Sequence, residues 1–172
     1  NLGVNSLYRL DFSNNELTTL HFMENVTEIR DSLIVNDNFL RDVNKLSGVI
    51  TVDGDINLAN NSLRRLDGLE NITEIDRLFI NGNPLTELTP IKNLFNVNDI
   101  YIDEPSQYTK IDFSTPLCNS FINGVADFIV QSTGLSAEVS DICANTPEFS
   151  EWLDYFNSKG QLTDFNSIFD WI

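Results

Sequence analysis

Asparagines recur along this chain at Asn15, Asn38, Asn61 and Asn83, separated by 23, 23 and 22 residues, and the next step of 22 lands on Pro105. Three residues before each stands the second member of an alternating apolar pair: Leu10 and Phe12, Leu33 and Val35, Ile56 and Leu58, Leu78 and Ile80. A fifth pair, Ile100 and Ile102, precedes Pro105. Alternation with a period of two marks a strand with one face buried. Two residues after each asparagine comes a leucine (Leu17, Leu40, Leu63, Leu85), and from there an apolar residue returns every third position, as in Leu40, Val43, Leu46, Val49 and Val52. No single helix or strand accommodates that rhythm. A coil whose sides all face one interior does. The extra residue of the longer repeats falls just before the strand, between Ile29 and Leu33 and between Val52 and Ile56, where a turn tolerates it.

The expected fold is therefore a solenoid. Its strands stack about 4.8 Å apart in a parallel sheet, and the every-third residues fill a continuous core. Asn15, Asn38, Asn61 and Asn83 are expected to be buried, as internal rungs whose side chains bond the backbone of turns that lack a ladder of their own.

The segments LYRLDFSNNEL (7–17) and LFINGNPL (78–85) fit the pattern L-x-x-L-x-L-x-x-N-x-L, and LDGLENITEIDRLFINGNPLTEL (66–88) resembles bacterial surface repeats of the internalin-like kind and the L domains of growth-factor receptor ectodomains. The chain thus resembles a leucine-rich repeat protein. The resemblance implies an α/β-type solenoid, a right-handed coil with a parallel concave sheet of about five strands over residues 1–105, followed by a small α-helical C-terminal cap over residues 106–172.

Past Pro105 the apolar comb fails. Thr115-Pro116 supplies a capping residue and a proline at the first helical position, and Phe121, Ile122, Val125, Phe128 and Ile129 mark one helical face, with Gly134 suited to its end. A second start at Thr146-Pro147 leads to Phe149, Trp152, Leu153 and Phe156, and a third short helix is expected from Thr163. These amphipathic segments read as the lid of the solenoid, or as a partner-binding tail. Both cysteines, Cys118 and Cys143, lie in this part. The resemblance implies that they form the disulfide of an extracellular cap, and closing such a loop contributes on the order of 3 kcal/mol. Two free buried thiols in a cytosolic chain are the alternative.

Asn1 opens directly into repeat-like sequence, as expected of a mature form or an excised fragment. Residues 1 to 6 are too few to cover an open core, so further repeats are expected before it.

Composition narrows the function. A net charge of −16 opposes binding to phosphate backbones and to anionic membranes. No apolar run approaches the roughly 20 residues of a membrane span. One histidine, His21, in a repeat turn is a poor basis for a nucleophilic triad, and no glycine-rich phosphate loop occurs, so neither enzyme activity nor a cofactor is expected. Asp53, Asp55 and Asn57 imitate the start of a calcium loop, but its sixth and twelfth positions are Leu58 and Arg64 rather than glycine and an acid. No metal site is expected.

What remains is the strand face turned away from the core. Its central column reads Asp11, Ile34, Asn57, Phe79, Tyr101, and the next two read Ser13, Asn36, Ala59, Asn81, Asp103 and Asn14, Asp37, Asn60, Gly82, Glu104. Phe79 and Tyr101 fall on adjacent strands, close enough for their rings to touch. Ile34, Asn57, Phe79 and Tyr101, rimmed by Asp37, Asn81 and Asp103, are the expected ligand-binding residues for a protein, peptide or glycan. Cross-strand packing that only stabilises the sheet is the alternative for the aromatic pair. The expected function is an extracellular or cell-surface recognition and adhesion module; the alternatives are an intracellular scaffold or regulatory subunit and a structural spacer.

Overall fold

The computed structural model describes residues 3–112 and 114–144. The helices expected from Thr146 and Thr163 lie outside the described residues. In chain order the strands are β1 (Ser6–Leu7), β2 (Leu10–Asp11), β3 (Glu28–Ile29), β4 (Leu33–Ile34), β5 (Thr51–Val52), β6 (Ile56–Asn57), β7 (Glu74–Phe79), β8 (Asn96–Ile102), β9 (Ile111–Asp112), β10 (Asp127–Val130), β11 (Leu135–Ser136) and β12 (Cys143–Ala144), with helix α1 (Pro116–Ile122) before β10 and α2 (Val139–Ile142) before β12.

Together they form a parallel β-solenoid of about four turns. The main sheet has the order β11-β10-β8-β7-β6-β4-β2, and every neighbouring pair in it is parallel except β10 with β11. One register runs through it, Leu10↔Leu33↔Ile56↔Leu78↔Ile100↔Phe128. A second sheet, β1-β3-β5, lies on the preceding side of each early coil. The early coils carry two short strands each and the later ones a single longer strand. The longer coils turn a corner between β3 and β4 and between β5 and β6. In the next coil Ile75 and Leu78 lie on a single strand, β7, that does the work of both.

The every-third spacing is the period of a 3-10 turn. Such turns at His21–Met23, Asn44–Leu46 and Thr89–Ile91 drive Met23, Leu46 and Ile91 into the core. Leu40, Val43, Leu46 and Val49 are fully buried, and so are Leu33, Val35, Ile56 and Leu58 on the inner face of the strands. At about 25 cal/mol per Å² of apolar surface, this continuous interior is the main source of stability.

Three asparagines tie the coils together. The Asn61 amide donates to Val35 O (3.0 Å), Leu58 O (3.0 Å) and Ala59 O (3.2 Å), and its Oδ1 accepts from Leu40 N (3.0 Å). Asn38 bonds Phe12 O, Val35 O and Asn36 O and accepts from Leu17 N. Asn83 bonds Leu58 O, Ile80 O and Asn81 O and accepts from Leu63 N. All three are buried. Asn15 is exposed, contrary to the expectation, because each rung takes half its partners from the coil before it and no coil is described before Asn15. For the same reason Phe12 is 38% exposed although its equivalents Val35 and Leu58 are fully buried. Pro105 offers no such amide, and Leu85 N turns instead to Asn83 O (2.8 Å).

The far end departs from the helical reading. Helix α1 starts as expected, with Pro116 at its first position and the Thr115 side chain accepting from Cys118 N. It ends at Ile122 instead of continuing through Ile129. Gly124 takes φ +66°, a left-handed conformation that closes the helix. The β-branched and aromatic run Phe128-Ile129-Val130 then pairs with β8 as another parallel strand. A tight turn before Gly134 folds β11 back antiparallel on it. Cys118 and Cys143 are joined in a disulfide that ties α1 to β12, which pairs with β9. The Ser120 hydroxyl donates to Phe95 O, holding α1 to the last coil.

Candidate functional site

The outward face of the main sheet carries the residues singled out above. The register sets Asp11, Ile34, Asn57, Phe79 and Tyr101 in one column and extends it to Ile129 on β10. The Phe79 and Tyr101 rings are stacked, their centroids 4.4 Å apart and their planes within 9° of parallel. Strands lie about 4.8 Å apart, so parallel rings at this spacing stand up from the sheet. Their faces point along it and their edges point outward.

The neighbouring column, offset toward the strand starts, reads Ser32, Asp55, Arg77, Asp99, Asp127. Arg77 and Asp55 make a bidentate pair (Nε–Oδ1 3.0 Å, Nη2–Oδ2 2.7 Å). That pair raises the Arg77 guanidinium further above its ordinary value, mainly through the hydrogen bond to Asp55. The same guanidinium lies 5.7 Å from the centre of the Phe79 ring, in cation–π range. The pair and the stack together form a braced patch spanning β6 to β8, with Ile129 extending it onto β10.

The rim residues are engaged by hydrogen bonds within their own coils and to neighbouring ones. Both Asp103 carboxylate oxygens accept from Gly82 N (3.0 and 2.9 Å). Asp37 accepts from the side-chain amides of Asn60 (2.9 Å) and Asn36 (2.6 Å). Asn57 Oδ1 accepts from Ala59 N (3.1 Å). Asn81 is half-buried beside this rim. The apolar members of this face, Phe79, Tyr101 and Ile129, are half-buried and line up across β7, β8 and β10. Arg77 and Ile129 were not among the expected site residues. Arg77 could have been found from its place two residues before Phe79, on the same face of a strand. Ile129 was hidden because its stretch read as helix.

A polar hollow of about 400 Å³ opens beside the strand starts, between Thr51–Asp53 and Thr73–Asp76. It marks the place where β5 and β7 do not pair. Asp53 lines it, while Asp55 is committed to Arg77. Among the described residues, no group of three or more histidines, cysteines or acids is placed to hold a metal ion, and no helix is long and apolar enough to cross a membrane. The disulfide is consistent with an oxidising, extracellular environment.

Compared with models of known families, with curated proteins and with solved structures, the chain matches none.

Proposed function

We propose that this chain is a leucine-rich-repeat recognition module of the cell surface or extracellular space, without catalytic activity, which binds a protein or an extended peptide across the outward face of its main sheet. The observation that carries this reading is the stacked Phe79–Tyr101 pair. The core lies on the other side of the sheet and does not need it, and Arg77 and Asp55 hold it in place from the side. Rigid aromatics that lose little entropy on binding are the usual anchors of protein interfaces. A sugar would use a ring face as its platform, and here the faces are turned toward each other. A peptide side chain can pack against the exposed edges. That favours a protein or peptide over a glycan.

The experiment is an array of extracellular proteins and glycans probed with the labelled chain and with its Phe79→Ala/Tyr101→Ala variant. The expected result is protein hits that weaken at least tenfold in the variant. Hits that bind both forms equally would remove the reading.

A further inference from the structure

The outward face of the main sheet shows, in its own Arg77, how a guanidinium is received there. Two Arg77 nitrogens rest on the Asp55 carboxylate of the neighbouring strand (3.0 and 2.7 Å), and the head of the side chain lies 5.7 Å from the centre of the Phe79 ring. An acid in one column and an apolar side chain in the next hold the cation between them.

The same two elements recur on β8 and β10. The register sets Asp99 opposite both Arg77 and Asp127, so Arg77 has an acid on either side and bonds only Asp55. Asp99 and Asp127 are then neighbours on adjacent strands, about 4.8 Å apart at the backbone, and like charges so placed repel. Among the described residues neither carboxylate forms an ion pair. Asp127 accepts from the Ser136 hydroxyl (2.6 Å), a neutral donor. Two residues along their strands stand Tyr101 and Ile129, half-buried like the two acids. Beyond Tyr101 on the same face comes Asp103, a further negative charge. Apart from Arg77, these columns hold no lysine or arginine between β4 and β10.

Strand geometry fixes what could meet both pairs. Neighbouring columns are two residues apart along a strand. An extended peptide lying along the strands presents side chains to one face at that same interval, at about 3.3 Å per residue. An arginine over Asp99 and Asp127 therefore puts the side chain two residues away over Tyr101 and Ile129. A guanidinium suits the acids better than an ammonium, since its planar fork bonds two carboxylate oxygens at once and is less strongly hydrated. The net charge of −16 draws cationic segments toward the chain as a whole, and the acid pair beside an apolar pair sets where they dock.

We propose that the outward face takes an extended, arginine-bearing peptide segment, whose guanidinium lies between Asp99 and Asp127 while an apolar side chain two residues away packs on Tyr101 and Ile129. This rests on the recognition reading given above and names the chemistry of the partner.

The test is a phage-displayed library of random decapeptides selected on the full chain, with the enriched sequences then synthesised and titrated by fluorescence anisotropy. The expected peptides carry an arginine two residues from an apolar side chain. Asp99→Asn/Asp127→Asn is expected to weaken them about tenfold or more. Asp42→Asn/Glu70→Gln, which removes the same charge from exposed positions outside the main sheet, is expected to weaken them less than about twofold. The first variant relieves a like-charge contact, so its thermal midpoint is expected at or above that of the wild type, which separates lost binding from lost folding. Enriched peptides without arginine that still depend on Phe79 and Tyr101 would overturn this inference and leave the recognition site standing. Peptides indifferent to Phe79→Ala/Tyr101→Ala would overturn both. Equal losses in the two charge variants, or a library from which nothing is enriched, would overturn the arginine assignment and leave the protein array to decide the recognition reading.

Discussion

Asn61 lies inside the stack and Asn15 at its open end, and the two differ in nearly everything except sequence context. Each is followed two residues later by leucine and preceded by an alternating apolar pair. Asn61 is 8% exposed and makes four hydrogen bonds, two of them to the coil before it. Asn15 is exposed, and its amide reaches only Phe12 O (3.2 Å) and Ser13 O (2.9 Å) of its own strand. The rung is therefore a property of two coils, not of the residue. Stability in such a chain accumulates at the boundaries between neighbours, and an unpaired boundary leaves the same residues half idle.

The sharpest way to break that comparison is to truncate both. Asn61→Ala removes four bonds and strands the buried Leu40 N–H without its acceptor. The expected loss is about 4 kcal/mol, counting roughly 1 kcal/mol per bond with the largest penalty at the orphaned donor. Asn15→Ala is expected to cost less than about 1 kcal/mol, since water replaces what is lost. Urea unfolding of the two variants beside the wild type measures both, and equal losses would show that the rungs act within a coil rather than between coils.

The closed end offers the next test. Replacing Cys118 and Cys143 together by alanine reopens a loop of 25 residues, at an expected cost of about 3 kcal/mol. If coils couple mainly to their neighbours, hydrogen exchange should quicken in α1, β9 and β12 while the amides of β4 and β6 keep their protection. Uniform loss of protection would mean that the solenoid and its closing segment unfold as one.

The same contrast explains what the sequence revealed. The coils were legible because one spacing recurs and each instance corroborates the others: Leu33, Ile56 and Leu78 had to share a register once Asn38, Asn61 and Asn83 did. The exposed state of Asn15 was not legible in its motif, since burial there depends on a neighbour rather than on the residue. Nor was β10. Phe121, Ile122, Val125, Phe128 and Ile129 fit a helical face in number and spacing, and only the Asn123-Gly124 step contradicts it. Gly124 stops the helix, and Phe128 to Val130 are then claimed by the open side of β8, a tertiary pairing that local periodicity does not encode. The Phe79–Tyr101 stack followed from the columns alone. Its bracing by Arg77 and Asp55 required a register linking two repeats of different length.

A smaller effect is expected at the left-handed column where the strands end. Asn14, Asp37, Asn60 and Gly82 occupy it, with φ of 55°, 54°, 54° and 69°. Asparagine, aspartate and glycine are the residues that tolerate this conformation. A Cβ on Gly82 would come within 2.1 Å of Asn60 Oδ1, so Gly82→Ala should cost about 2 kcal/mol through strain and the displaced amide. Asn60→Gly, one coil earlier, relieves the backbone but gives up the bond to Asp37. Its net effect is expected within about 0.5 kcal/mol of zero. Thermal unfolding of both variants decides whether position in the stack or the residue itself sets the cost.

Tyr108 is the case that depends on pH. Where the asparagine rungs run out, its hydroxyl accepts from Asp103 N (3.1 Å), so a phenol serves a strand end that no further rung reaches. Tyr108→Phe is expected to cost about 1 kcal/mol at neutral pH, the ordinary net value of one hydrogen bond. Burial, the largest influence, raises the Tyr108 phenol above its ordinary value of 10.0. The folded chain therefore holds this proton more tightly than the unfolded chain. The stability linked to it is complete below pH 10.0 and is lost as pH rises through the folded value, because the unfolded state gives up the proton first. The variant has no proton there to lose, so its urea midpoint should fall less than that of the wild type above the ordinary tyrosine value, and the gap between the two should narrow. A gap that stays constant through that range would mean that the phenol is not sequestered, and that the closed end of the solenoid admits water where the interior coils do not.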